Sequence, residues 1–221
     1  MWALSAPFAV WMMVIIWMTG DILTRKMMGI IYTAGMGHSQ TEKEKNHQRI
    51  VEVAARKIRE SGIDGPGVAE VMKEAGLTHG GFYKHFNSRD DLIAEAVDEA
   101  IEQGTSDLFK AVEGAADPLA AFLEEYVSEK HRDAPGTGCT VVALGADAAR
   151  ADPRVRASYG AQVEKYIAHM EGLLGGGEDA RRKAIAAVTS MVGAVLISRA
   201  IDDAALSEEI LAGVRAEVPN L

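Results

Sequence analysis

Cysteine is almost missing from this chain: Cys139 stands alone among 221 residues, so no intrachain disulfide exists. Metal-ligand spacing is missing too, because the six histidines are scattered, and no phosphate-cradling glycine motif occurs. Those absences remove the common signatures of metal- and nucleotide-dependent enzymes, and no cofactor or metal is expected. From residue 100 onward there is no alternating strand pattern, which leaves helices as the building material. Positive charge is in deficit as well, with 23 Lys and Arg against 32 Asp and Glu and a net charge of −9. On its face that balance argues against nucleic acid as a partner.

What is present changes that picture. Val68 to Phe86, VAEVMKEAGLTHGGFYKHF, reads as two short helices around a glycine turn. Val68, Val71, Met72 and Ala75 recur at helical spacing, Gly76 is suited to a left-handed helix end, Leu77 can pack under the turn, and Thr78 can cap the second helix. Phe82 and Phe86, four apart, face inward. The exposed arc is then His79, Gly80, Gly81, Tyr83, Lys84 and His85, with no acid among them. Each of the two glycines costs a helix about 1 kcal/mol relative to alanine, which suggests close approach of the backbone to a ligand such as a phosphate or a base edge. An ordinary helical hairpin with a glycine-rich loop is the plain alternative.

The flanks favour the first reading. Upstream, Ile50, Val53, Ala54 and Ile58 form one stripe ending at Gly62; downstream, Ser88 and Asp91 start a helix carrying Leu92, Ile93, Val97 and Ile101. Four helices follow in series. Over about Lys45 to Ala100 the arrangement resembles the TetR family of transcriptional regulators: a first helix closing in ESGIDG, then VAEVMKEAGLTHGGFYKHFNSRDDL, then a long fourth helix. The resemblance implies an all-α fold, with an N-terminal three-helix helix-turn-helix DNA-binding domain at 41–100 and a helical effector-binding and dimerisation domain at 101–221.

By position, the resemblance makes Gly67 to Ala75 the supporting helix and Thr78 to Phe86 the recognition helix in the major groove. Thr78, Tyr83 and His85 fall where the family usually touches phosphates, and His79, Gly80, Gly81 and Lys84 where base edges or neighbouring phosphates are reached. The chain departs at Gly67, where the family often has Ser or Thr, so that phosphate contact is in doubt. Charge is no obstacle. Between Thr41 and Arg89 nine Lys and Arg stand against seven Asp and Glu, a local balance of +2. An acidic body with a mildly basic head also disfavours nonspecific coating of DNA.

Met1 to Gly20 contains no charged residue and holds all three tryptophans, and seven of the ten methionines lie at or before Met36. Such a run is just long enough to span a bilayer, with Arg25 and Lys26 after it. A cleaved signal peptide fits poorly, since no basic region precedes it. Two readings of 1–40 stay open: a misassigned start, with translation beginning at Met27, Met28 or Met36, or an inner-membrane tether for an otherwise cytoplasmic regulator.

In the body, helices are expected over Leu119 to Lys130, Thr140 to Arg150, Val155 to Leu174, Asp179 to Ile201 and about Ser207 to Val218, with Gly175 to Gly177 as a break. One recognition helix reads few base pairs, whereas two held about 34 Å apart read a palindrome, so a homodimer on double-stranded DNA is expected. The resemblance places the dimer interface on the last two helices. There Ala187, Gly193 and Ala194 would allow close helix approach. Cavity candidates for a small-molecule effector are Phe109, Phe122, Tyr126, Tyr166, Met170 and Met191, each also at home in plain core. Cys139 follows a Gly/Pro loop where a helix begins, a setting that favours thiolate, and His131 and Arg132 are near enough in sequence to assist. Some members of the resembled family sense electrophiles or oxidants through a body cysteine; a buried inert thiol is the alternative. A Cys139–His131 nucleophilic pair would be the seed of an enzyme, but no third orienting group accompanies it, and a helical adaptor is the other rival. The resemblance implies a repressor released by a small-molecule or electrophile/oxidant signal.

Overall fold

The computed structural model describes residues 40–221, and every described element is helical. The apolar extension expected at 1–40 lies outside them, save for Gln40. By chain contacts the molecule divides after His47. Of the first unit the described residues are helical and mostly exposed, and the second unit, 48–221, holds both the reading head and the body.

Helix α1 covers 40–61 and ends where Gly62 turns left-handed at φ 81°, its N–H bonded to the Ile58 carbonyl at 2.9 Å. Helix α2, Val68–Glu74, ends at Gly76 with φ 72°, and the Leu77 N–H reaches back to the Met72 carbonyl at 2.8 Å. That closing bond requires the left-handed residue that glycine supplies without steric penalty. The second helix of the pair departs from expectation: His79–Lys84 is a 3-10 helix, shorter than the expected Thr78 to Phe86. Thr78 sits at its N-cap with extended backbone, but its side chain makes no capping bond. Two consecutive glycines explain the tighter, shorter form, since they weaken the longer α-helical ladder.

Ser88 caps the next helix as its spacing indicates, its Oγ accepting from the Asp91 N–H at 3.0 Å. Helix α3 then runs from Arg89–Val112 for 24 residues. The body continues with α4 (Pro118–Tyr126), α5 (Glu129–Asp133), a 3-10 turn at Pro135–Thr137, α6 (Thr140–Ala148), α7 (Pro153–Leu173), α8 (Ala180–Ala200), α9 (Ala204–Glu217) and a last 3-10 turn at Val218–Asn220. The single helix expected from Leu119 to Lys130 is two, because Ser128 caps a new start by accepting from the His131 N–H. The last helix begins earlier than Ser207, with Asp203 capping it through the Leu206 N–H and Ser207 buried inside it. Asp152, with Pro153 after it, likewise starts α7.

Two apolar cores result. Ile50, Ile58, Met72, Phe82, Phe86, Leu92 and Val97 form the core of the head, and Phe122, Tyr126, Met170, Val188, Met191 and Leu211 that of the body. Helix α3 serves both: Leu92 to Ile101 belong to the first and Leu108 and Val112 to the second. Leu144 of α6 and Val155 of α7 cross over into the head core. Helix α8 is long and apolar enough to cross a membrane by composition, yet it packs against α7, α9, α5 and α6 within the body.

The cap at Ser88 sets the start of the helix on which both cores rest. Replacing it, Ser88→Ala, should lower unfolding free energy by about 1 kcal/mol, measured by urea denaturation followed through helical circular dichroism; an unchanged midpoint would show that the cap does not stabilise α3.

Candidate nucleic-acid interface and effector cavity

The candidate DNA-reading surface is built on an aromatic footing. Phe82 and Phe86 are both 2% exposed and stack with centroids 5.5 Å apart, fixing the 3-10 helix to the head core. Tyr83, packed edge-on against Phe82 at 5.2 Å, is thereby turned out and is 75% exposed. Thr78, His79, Gly80 and Lys84 are exposed beside it, and Gly81 and His85 are half-buried. Neither glycine has a positive φ. A Cβ at Gly80 would meet nothing within 4 Å, and one at Gly81 only ordinary contacts with Met72 and Thr78. The chain's own packing therefore gives no reason for glycine at 80. Gly67, the N-cap of α2, is equally open and offers no side-chain cap.

Ion pairs lock α1 to α2 behind this surface. Lys57 bridges Glu70 and Glu74, and Arg56 bridges Glu60 and Glu74. These acids are committed to cations of the head and none belongs to the reading arc.

In the body, Cys139 is 5% exposed and stands at the N-cap of α6, though its side chain does not cap the helix. The Tyr126 hydroxyl donates to its Sγ at 3.2 Å, and the thiol donates to the Tyr166 hydroxyl at 3.5 Å. Burial, then the proximity of Cys139, pushes both phenols well up from their ordinary value. His131 touches the cysteine through its backbone: Nε2 accepts from the Cys139 N–H at 2.9 Å, and Nδ1 lies 2.6 Å from the Tyr126 carbonyl. Those two neighbours dictate the neutral tautomer with the proton on Nδ1. Arg132 does not reach the thiol; it holds Asp133 and the Ser207 hydroxyl instead. No thiol–imidazole pair is formed, because the His131 nitrogen facing Cys139 is already occupied by the backbone N–H.

A cavity of about 290 Å³ opens on this group, with Leu108, Tyr126, His131, Gly138, Cys139 and Tyr166 on its wall and Glu125 and Lys130 paired at 2.6 Å beside it. Of the expected cavity residues, Cys139, Tyr126 and Tyr166 are brought together. Phe122 and Met170 are not on this wall: they are fully buried core, as is Met191. Phe122 and Met191 border only a gap of about 10 Å³, room for about one probe sphere the size of water. Phe109 stacks on His169 at 4.3 Å. The loop residues Thr137 and Gly138 had no periodic signal to mark them, and the helical spacing of Gly104, Leu108 and Ala111 does not distinguish a cavity wall from packed core.

Four of the six large apolar side chains exposed among the described residues lie on α8 and α9: Ile185, Leu196, Ile197 and Leu206. Ala187 and Ala194 do not join them, because they are buried in the body core, and Gly193 is half-buried.

Residues 50–96 match the family described as bacterial regulatory proteins, tetR family. The chain is 28% identical over 161 residues to the HTH-type transcriptional regulator LmrA of Bacillus subtilis, covering 69% of this chain and 86% of that protein. It is 28% identical over 102 residues to the HTH-type regulator AcrR of Shigella flexneri, covering 42% of this chain and 47% of the relative. Among solved structures, a TetR transcriptional regulator from Chloroflexus aurantiacus superposes with a TM-score of 0.70 at 23% identity, covering 80% of this chain and 96% of the other. The reduced form of NemR from E. coli does so at 0.67 and 19% identity, with the same coverage.

Burial pushes the His131 imidazole below its ordinary value of 6.5. A depressed folded value means its contribution to stability is complete above about pH 6.5 and is lost as pH falls through the folded value. The denaturation midpoint should therefore drop less between pH 7 and pH 5 in His131→Gln than in the wild type, while His169, also depressed by burial, acts equally in both. Parallel pH profiles would show that His131 plays no part in the acid sensitivity.

Proposed function

We propose that the chain is a TetR-family DNA-binding transcriptional regulator, a reading that its similarity to that family supports, and that it is a cytoplasmic repressor that binds a palindromic operator as a homodimer and is released by a signal acting at the Cys139 cavity. Its relatives are regulators rather than enzymes. The observation that carries the DNA-binding part is the acid-free, outward-facing 3-10 helix held on Phe82 and Phe86. Lys84 supplies charge to a phosphate, and Tyr83, His85 and Thr78 supply hydrogen-bond donors to neighbouring phosphates. His79 reaches for a base edge, while Gly80 and Gly81 let the groove wall come close. Phosphate contacts of this kind set affinity and register and carry no sequence information themselves.

A second reading head is required for a palindrome, and the apolar residues left exposed on α8 and α9 support association through that face. Four such side chains on adjoining helices are the material of a four-helix interface with a second copy.

For the signal, the support is the convergence of Cys139, Tyr126 and Tyr166 on one cavity. A small apolar molecule with one polar end fits that lining. An electrophile has a thiol within reach of two phenols. Either shifts the DNA-bound population only by preferring the conformation that releases DNA.

Tyr83→Ala and Lys84→Ala should each weaken binding to a selected palindromic duplex severalfold, with the Lys84 variant lowering the salt slope by about 0.9; wild-type affinity in both, measured by fluorescence anisotropy across salt, would show that DNA is read elsewhere. Separately, a mild electrophile should release the duplex from the wild type and not from Cys139→Ser, and equal release from both would take the cysteine out of the mechanism.

A further inference from the structure

Among the described residues the one buried charged side chain is Arg59, on α1 of the reading head, 5% exposed. Its Nε donates to the Gly136 carbonyl at 2.7 Å, one amino group to the Ala100 carbonyl at 2.9 Å, and the other to Gln103 Oε1 at 3.0 Å. Two of those partners are on α3, and the third is on the loop 134–139. These are also two of the walls of the Cys139 cavity, which α4, α5 and α7 complete: Gly104, Leu108 and Ala111 continue the face of α3 that begins at Ala100, and Ala134, Thr137, Gly138 and Cys139 form the loop wall. Arg59 thus clips these two walls together from outside the cavity's lining, one helical turn along α3 from Gly104, and it is carried by the head.

The loop has little freedom to absorb a displacement elsewhere. A Cβ at Gly136 would lie 2.5 Å from Glu60 Oε1 and 3.0 Å from Arg56 Cγ, so this stretch is pressed against α1. A Cβ at Gly138 would lie 2.8 Å from the His131 ring and 3.0 Å from Arg199, and one at Gly104 would lie 3.3 Å from the Gly138 carbonyl. Arg199 in turn donates to the His131 and Arg132 carbonyls at 2.6 and 2.9 Å. On the side away from α3, His131 of α5 and Arg199 of α8 back the loop, and toward the head Arg56 and Glu60 of α1 do. Parting the loop from α3 would therefore load the bond between the Gly136 carbonyl and Arg59.

We propose that Arg59 is the positioning residue that couples the cavity to the reading head: parting the loop 134–139 from α3 breaks its bond to Gly136, and with that bond α1 loses the alignment that holds the 3-10 helix for DNA. This inference rests on the cavity being the signal site. The head has other bonds to the body, among them that from the Ile63 N–H to Asp147 Oδ2 at 3.1 Å, which does not touch the cavity and serves as the control.

The test uses the full chain, N-ethylmaleimide on its single cysteine with stoichiometry checked by intact mass, and the strongest duplex that the wild type selects from a randomised pool. Alkylation should lower wild-type affinity at least tenfold and speed amide exchange in residues 56–63 and 77–86. In Arg59→Lys the unmodified affinity should already be severalfold lower, and alkylation should change it less than twofold. Asp147→Asn should keep the full alkylation ratio. Gly136→Val, which acts on the other side of the bond, should resemble Arg59→Lys, and the double variant should bind no worse than the weaker single one. Retained exchange protection in α7, α8 and α9 certifies that each variant is folded. Equal alkylation ratios in the wild type and Arg59→Lys overturn the proposal, as does a folded Gly136→Val with wild-type affinity and wild-type exchange in the head. If alkylation leaves the wild type unaltered, the sensing role of Cys139 fails by itself and Gly136→Val decides the clip. If no duplex is selected, the DNA-binding reading fails and the exchange pattern of Gly136→Val decides.

Discussion

Helix α3 is one continuous helix with each half embedded in a different core. Its 24 residues span about 36 Å at 1.5 Å per residue. Leu92, Ala96, Val97 and Ile101 fill the head, while Leu108 and Val112 fill the body. A continuous helix carries a tilt of one end toward the other, and any bend in α3 falls at Gly104 to Ser106, where the Thr105 hydroxyl bonds back to the Ile101 carbonyl. Gly104 lies between the two halves and lets the loop carbonyl of Gly138 approach the helix backbone. The interior of α3 is therefore the place where the cavity wall, the head core and the body core share residues, and the remaining helices are arranged around that constraint.

Much of this was legible in the residues. Apolar spacing located α1, α2 and α3, the glycines at 62 and 76 marked their ends, and Ser88 with Asp91 marked a start. Each of these is a local rule, decided within four or five residues by backbone conformation and capping. What was not legible depends on distant partners. The 3-10 form of His79–Lys84 reflects the competition between Phe82 and Phe86 anchoring and two weak helix formers. The break at Val127 arises because Ser128 finds a capping role that the apolar pattern does not announce. Phe122 and Met170 looked like cavity residues because aromatic and flexible side chains line cavities and fill cores equally well; only the position of the loop 134–139 decides between the two. Arg59 carried no signal at all. A single arginine on a helix in a charged sequence is ordinarily a solvated side chain, and its burial follows from where Gly136 passes.

The environment of Cys139 separates reactivity from catalysis. The imidazole that a nucleophilic pair would need is turned so that its acceptor nitrogen serves the backbone N–H of the same cysteine. That arrangement fixes the loop where α6 begins and leaves the thiol to the two phenols. Tyr126 and Tyr166, both held neutral by burial, act as hydrogen-bond partners and not as bases. The pocket thus presents a thiol between two neutral phenols, with the neighbouring imidazole committed to the backbone.

If the Cys139 cavity is the signal site proposed above, the same geometry limits how strongly signal and DNA can be coupled. A ligand shifts a two-state equilibrium only by its difference in affinity for the two states, and the reverse effect of DNA on the ligand is of equal size. A clip of three hydrogen bonds on one buried cation is well suited to such a role. Losing one hydrogen bond of such a buried cation costs about 1–3 kcal/mol, roughly fivefold to 160-fold in an equilibrium constant. Surface ion pairs between α7 and the head half of α3, such as Arg154 with Asp98, are screened by salt and worth about 1 kcal/mol or less, too little to act as a switch. The switching energy has to come from a buried contact that is wholly made in one state and lost in the other. The bond from Arg59 to Gly136 is buried and lies against the cavity wall, whereas that from Ile63 to Asp147 is half-buried and away from it.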